Sequence, residues 1–232
     1  MVDWNILGFV VFPYLSLATF VVGHAYRHVT DPFHWNARSS ELLEKEGLKT
    51  ASVLFHYGIV LTFVGHFVGL LIPQAVYDAV GINSEMHTHI AIFLGILFGL
   101  AAVVGNVLLL SRRITRKRVR VTSTAGDFVT SILLLFVIGA GTYNVFFGHF
   151  HVLDTVAPWI RSIVTLAPKP ELLDTVPILY KVHILGAFAL FAFSPFSRLI
   201  HIWSLPVPYA LRSPLSFRRH SADHIDNRIA ES

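Results

Sequence analysis

The chain has 232 residues, 54% hydrophobic and 14% charged, with a formal net charge of +4. A soluble domain carries about 25% charged residues, so this balance excludes an ordinary water-soluble globule and implies a single-domain integral membrane protein. The absence of cysteine excludes iron–sulfur clusters bound by this chain, thioether-attached haem and disulfides.

Five apolar stretches are long enough to cross a bilayer at roughly 20 residues each, which predicts an all-α, five-span fold. The first covers about 5–25. Its leading sequence MVDWNILGFVVF has no basic n-region and no small-residue cleavage site, so a retained helix is expected. The second covers 51–72, the third 88–110, the fourth 127–148 and the fifth 180–203. Pro13 and Pro195 fall inside two of them, where neighbouring helices can satisfy the freed carbonyls. In the third, Gly95, Gly99 and Gly105 favour close helix approach.

The basic residues sort by loop. Arg27, Arg38, Lys45 and Lys49 lie between the first two spans, and Arg112, Arg113, Arg116, Lys117, Arg118 and Arg120 between the third and fourth. Arg198, Arg212, Arg218, Arg219 and Arg228 lie at the C-terminal end, and only Arg161, Lys169 and Lys181 lie opposite. The positive-inside rule therefore sets the N-terminus outside and the C-terminus in the cytoplasm. The charge is a topology signal, not a nucleic-acid footprint. Residues 1–208 form the membrane domain. The polar tail 209–232 reads as a disordered end or as a docking segment for a cytoplasmic partner.

Histidine within hydrocarbon is costly without a partner. The second span carries His56 and His66; the fifth carries His183 and His201. Four imidazoles on two facing helices suffice for two bis-histidine haems, which points to transmembrane electron transfer. His56 is the cytoplasmic member of its helix and His66 lies about 15 Å further out. The fifth helix runs the other way, so His183 lies near the outer face and His201 about 27 Å further in. Depth pairs His66 with His183 and His56 with His201, which predicts two irons roughly 20 Å apart. The two spacings differ by about 12 Å, an offset that tilt must absorb. Eighteen residues make five whole turns, placing His183 and His201 on one face. A lone membrane histidine is more often a hydrogen-bonded structural residue. Four at matching antiparallel depths make the case for ligation.

Gly58, Gly65 and Gly186 neighbour these histidines and offer room for a flat cofactor. Arg198, one turn before His201, and Arg112, at the end of the third span, read either as counter-charges for haem propionates or as arginines snorkelling to the interface. His87 and His89 begin the third span on the outer side. They read as proton acceptors for a quinol or as helix-end histidines facing water. His24, His28, His34, His149, His151, His220 and His224 read mostly as interfacial, with His28 a possible propionate contact.

At these residues the chain resembles the gamma subunit of respiratory nitrate reductases. The segments that carry the likeness are FPYL, SSELLEKEGLKTAS, LFHYGIVLTFVGHFVGLLIP, RRITRKRVRVTS and FSPFSRLIHIWSLPVPY. The resemblance implies a five-helix cytochrome b anchor in the cytoplasmic membrane. His66 and His183 would bind a distal haem b, and His56 and His201 a proximal one. Menaquinol or ubiquinol would be oxidised near the distal haem, close to His66 and Gly65. Some members use a lysine at the start of the third helix to contact the quinone, and here His87 or His89 stands in that neighbourhood. Electrons would leave to an iron–sulfur beta subunit feeding a molybdenum alpha subunit that reduces nitrate. Nothing is carried over onto the outer loop 149–179.

Two other readings stand beside this one. One is a cytochrome b anchor of another quinone-linked complex, such as a heterodisulfide-reductase-like or sulfur-metabolism system. The other is a haem-free membrane anchor or proton relay, whose signature would be intramembrane carboxylates alternating with histidine. The five spans hold almost none apart from Asp127.

Overall fold

A computed structural model describes residues 3–31, 47–148 and 150–202. His34, Arg38, Lys45, His149 and the tail 209–232 lie outside the described residues. The regular structure among those described is helical throughout. Five helices are long and apolar enough to span a membrane: α1 (Trp4–Thr30), α2 (Leu48–Leu71), α3 (Ser84–Thr115), α4 (Ala125–Phe147) and α5, an α-helix over Ile178–Phe193.

Polar caps at the ends set where these helices start. The Asp3 carboxylate accepts from the amides of Asn5 (2.9 Å) and Ile6 (3.3 Å), and the Asn83 side chain accepts from Met86 (2.8 Å). Thr124 and Asp127 close a reciprocal capping box on α4. Such side chains satisfy amides that the first turn leaves unbonded. α3 is longer than expected from hydropathy. It gains a first turn from its Asn83 cap and a last turn through Ser111, Arg112 and Arg113, whose charge complements the helix C-terminus.

Both intramembrane prolines remodel their helices. Pro13 has no N–H to offer the Phe9 carbonyl, and the preceding turn, Leu7–Val11, widens to π-helix; that carbonyl instead receives Trp159 Nε1 at 3.2 Å. Pro195 has the larger effect and corrects the sequence expectation. The fifth span is not one helix to residue 203. It ends as α-helix at Phe193, makes a 3₁₀ turn at Ser194–Phe196, extends at Ser197 and makes a second 3₁₀ turn at Arg198–Ile202. The Ser194 hydroxyl donates to Phe191 O (2.9 Å), the carbonyl Pro195 cannot reach. Gly23 of α1 admits the proline ring, since a Cβ there would lie 2.8 Å from it.

α2 packs along α3, α3 on α4, α4 on α5 and α5 on α1; among the described residues α2 makes no extended contact with α1 or α5. The α2–α3 contact is the tightest. A Cβ at Gly58 would lie 2.5 Å from the Ala102 nitrogen, and one at Gly105 would enter the Phe55 backbone. On its other side α3 meets α4 at Gly99, where a Cβ would lie 2.7 Å from Thr142 Oγ1, and at Gly95. Large apolar side chains such as Val21, Val22, Phe93, Leu97, Val129 and Phe136 face outward. A surface of that kind suits lipid rather than water.

The stretch for which sequence offered no expectation is structured. A helix at Val156–Val164 caps the end of the bundle where α1 begins. Trp159, 1% exposed, packs with Phe9, Ile163, Leu173, Ile184 and Phe188. Tyr14 Oη donates to Ile163 O (3.0 Å) and Arg161 Nη1 to Leu70 O (2.9 Å).

Candidate functional site

α2 faces α5 and the 3₁₀ turn beyond it across two histidine pairs. The ring centroids of His66 and His183 are 6.0 Å apart, as are those of His56 and His201. This is the pairing that depth predicts. The break at Pro195 explains how it arises without strain. An unbroken helix would carry His201 about 27 Å from His183, past the level of His56. The chain instead leaves the α-helix at Phe193 and changes course through the extended Ser197, and His201 stands beside His56. The shared-face argument for His183 and His201 fails, because no continuous helix joins them.

Each of the four rings uses Nδ1 in the same way. His56 Nδ1 donates to Ser52 O (2.7 Å), His66 Nδ1 to Thr62 O (2.8 Å), His183 Nδ1 to Val137 O (2.9 Å) and His201 Nδ1 to Arg198 O. A carbonyl oxygen only accepts, so each Nδ1 carries the proton and each Nε2 the lone pair. That is the tautomer of a metal-ligating histidine whose second nitrogen is held by the protein.

The pairs fit a haem on two further counts. A metal binds imidazole nitrogen at about 2.0 Å, so two ligands in line put their ring centres about 6 Å apart. Both observed separations agree with that. His56 and His66 are also exposed on α2, which among the described residues makes no extended contact with α5. Bare imidazole at this depth is unfavourable, and a flat apolar cofactor between the helices would cover it. No group of three or more His, Cys, Asp or Glu suited to a metal ion occurs among the described residues. A haem iron takes two protein ligands, so pairs are the relevant unit.

The glycines divide differently from the sequence expectation. Gly58 is filled by the α3 backbone, and Gly186 faces Val137, with a Cβ 3.1 Å from its methyl. Both serve helix packing. A Cβ at Gly65 would meet nothing within 4 Å, which leaves open space beside His66. Sequence reasoning missed Gly141. A Cβ there would lie 2.7 Å from His183 Cε1, so this position must be bare for the ring to sit where it does. The small-residue run GAGT in α4 was the available signal. It also missed Val137, since nothing local links that carbonyl to His183.

At the start of α3 the two candidate proton acceptors separate. His87 is buried; its ring lies 4.2 Å from that of Tyr77 and its Nδ1 3.3 Å from Gln74 Oε1. Gln74 Nε2 already donates to Asp78 Oδ1 (2.9 Å) and Ile82 O (3.1 Å). Gln74 Oε1 therefore accepts from His87, which puts the lone pair on Nε2. That atom lies 3.7 Å from where a Gly69 Cβ would stand, beside the π-helical turn Phe67–Leu71 that follows His66. Tyr77 donates to Val68 O (2.8 Å), and burial pushes its phenol pKa up, keeping it a neutral donor. His89 does not join this group. It is exposed and lies 3.8 Å from Glu85.

At the opposite end of the bundle the charges gather at Asp127. Its Oδ2 lies 3.1 Å from Arg113 Nη1 and its Oδ1 3.3 Å from Arg198 Nε. Arg112, one residue from Arg113, is buried at the same end of α3. Two guanidinium groups thus meet one carboxylate, and Arg112 adds a third cation at the same end of α3. His28 and His151 are exposed. His24 is buried in α1, with Nδ1 2.7 Å from Phe20 O and its ring 4.5 Å from that of Phe20.

Comparison with known proteins decides the family. A sequence model described as "Nitrate reductase gamma subunit" matches residues 5–220. The chain belongs to the nitrate reductase gamma-subunit family. It is 41% identical over 215 residues to the nitrate reductase gamma chain of Bacillus subtilis, covering 91% of this chain and 96% of that one. It is 37% identical over 213 residues to the respiratory nitrate reductase 1 gamma chain of Escherichia coli, covering 90% and 94%. A more distant likeness, 31% over 153 residues, is to an Hdr-like menaquinol oxidoreductase cytochrome b-like subunit of Archaeoglobus fulgidus; it covers 64% of this chain and 45% of that one. The chain is thus an integral membrane subunit of a nitrate reductase, one component of a larger oxidoreductase.

Proposed function

We propose that this subunit oxidises menaquinol or ubiquinol at the outer face and delivers the electrons to the cytoplasmic face of the cell's inner membrane. His66 and His183 hold a distal haem b, and His56 and His201 a proximal one. Bound there, the two haems supply one-electron carriers between the quinol and an iron–sulfur beta subunit, which feeds a molybdenum alpha subunit that reduces nitrate. The observation that carries this reading is the geometry of the four histidines: two pairs at 6.0 Å, each ring with Nδ1 on a carbonyl.

The remaining residues have defined tasks. The open space at Gly65 receives the quinol ring beside His66. His87 Nε2, acceptor by virtue of Gln74, takes a quinol proton on the outer side, and Tyr77 holds its ring in place. Arg112 and Arg198 supply the positive charge that propionates of the proximal haem require. The basic loops set the N-terminus outside and the C-terminus inside. Protons released outside and electrons taken inward make the step electrogenic. Residues 1–208 are the membrane domain, and 209–232 a cytoplasmic tail.

The likeness to the Archaeoglobus subunit supports a second reading, an anchor for another quinone-linked complex. The fuller coverage and higher identity of the nitrate reductase chains favour the first. A reduced-minus-oxidised visible spectrum of the purified complex, with haem counted per gamma chain, tests the proposal. Two b haems reducible by quinol are expected. A complex without haem, expressed with adequate haem supply, would refute it.

A further inference from the structure

His201 differs from the other three histidines in what holds it. His56, His66 and His183 sit within regular helix. His201 sits in a 3₁₀ turn beyond the proline break, where the α5 hydrogen-bond ladder has ended. Its position therefore depends on side-chain anchors. Ser197 Oγ donates to Ser194 O (3.0 Å) and accepts from the Leu199 amide (3.2 Å), and Leu199 and Ile200 are buried. A charged anchor is Arg198, whose Nε meets Asp127 Oδ1 at 3.3 Å and whose carbonyl receives His201 Nδ1.

Asp127 is itself fixed from several sides. Its Oδ2 accepts from the Thr124 amide (2.9 Å) and lies 3.1 Å from Arg113 Nη1. It is 7% exposed and stands in the first turn of α4, where the helix terminus favours negative charge. A single carboxylate thereby ties the end of α3, the start of α4 and the turn that carries His201.

We infer that Asp127 is a positioning residue for the inner histidine pair, holding His201 opposite His56 through Arg198. The inference rests on the haem reading of the four histidines. It also assigns Asp127 an electrostatic effect: as an anion in contact with Arg113 and Arg198, it offsets positive charge beside the inner haem and lowers that haem's potential.

The test is a redox titration with low-spin ferric EPR on the whole membrane complex carrying Asp127→Asn, Asp127→Glu or Arg198→Lys. Asp127→Asn removes the charge and keeps the shape. It should raise the midpoint potential of the inner haem and alter its EPR signal, with the outer haem unchanged. Asp127→Glu should restore much of the wild-type potential, an effect that a purely structural role does not produce. Should Asp127→Asn fail to assemble, Arg198→Lys should still shift the inner haem alone. An unchanged inner haem, or equal shifts in both, would overturn the inference. Absence of haem from the wild-type complex would instead bring down the haem reading on which it stands.

Discussion

The two histidine pairs share a centroid separation and are built by opposite means. The outer pair is held by contacts to backbone carbonyls. His183 is locked by the Val137 carbonyl and the bare face of Gly141, and His66 stands before a π-helical turn whose Leu70 and Val68 carbonyls are bonded by Arg161 and Tyr77. The inner pair is held by charge, with His201 placed on a broken turn by Arg198 and Asp127. Each solution suits its side of the reaction proposed here. A quinol site needs an apolar opening with one proton acceptor. The cytoplasmic side must hold propionates and offer an electron exit, and in this proposal Arg112 and Arg198 do the former.

The sharpest way to break this contrast is at Gly141. Gly141→Leu would drive a side chain into the His183 ring, and we expect loss of the outer haem with the inner one retained, read from haem content and EPR. Loss of both would mean that the pairs are not independent. Next in size is His87→Gln, which should lower quinol oxidation by about 10²-fold, the low end for removing a general base, with both haems present in the spectrum. His89→Gln should leave the rate unchanged, since that ring lies outside the cluster. An equal effect of the two substitutions would remove the distinction drawn between them. A smaller effect is expected at Trp159→Phe, which leaves the Phe9 carbonyl without its indole donor. We predict a loss of about 1–3 kcal/mol in the stability of the outer cap, measured by thermal unfolding in detergent. Smallest is a spectroscopic difference. The rings of the inner pair cross at 72° and those of the outer pair at 36°, so the inner haem should give the more anisotropic low-spin EPR signal.

Much of this arrangement was legible in the sequence, because it follows from periodicities and depth. Five apolar runs gave five spans, and the antiparallel course of α2 and α5 paired His66 with His183 and His56 with His201. What escaped was set by contacts distant in sequence. Proline is tolerated in membrane helices, so Pro195 gave no sign that the chain would leave the α-helix. The pocket that Gly23 provides for it lies on α1. Gly141 looked like one small residue among several, and its role appears only against His183. Gly58 and Gly186 lie beside ligands in sequence, but their bare faces are filled by Ala102 and Val137. His87 and His89 were indistinguishable as helix-end histidines until Gln74 and Tyr77 selected one. The helix at Val156–Val164 is too short to stand out as a span, and its burial depends on Phe9, Ile184 and Phe188.

The most direct test of the central claim is haem content and spectrum in four single variants of the intact complex: His66→Ala, His183→Ala, His56→Ala and His201→Ala. The account predicts that the first two lose one and the same haem and the last two lose the other. Losses that cross these pairs, or four variants that all keep both haems, would contradict it.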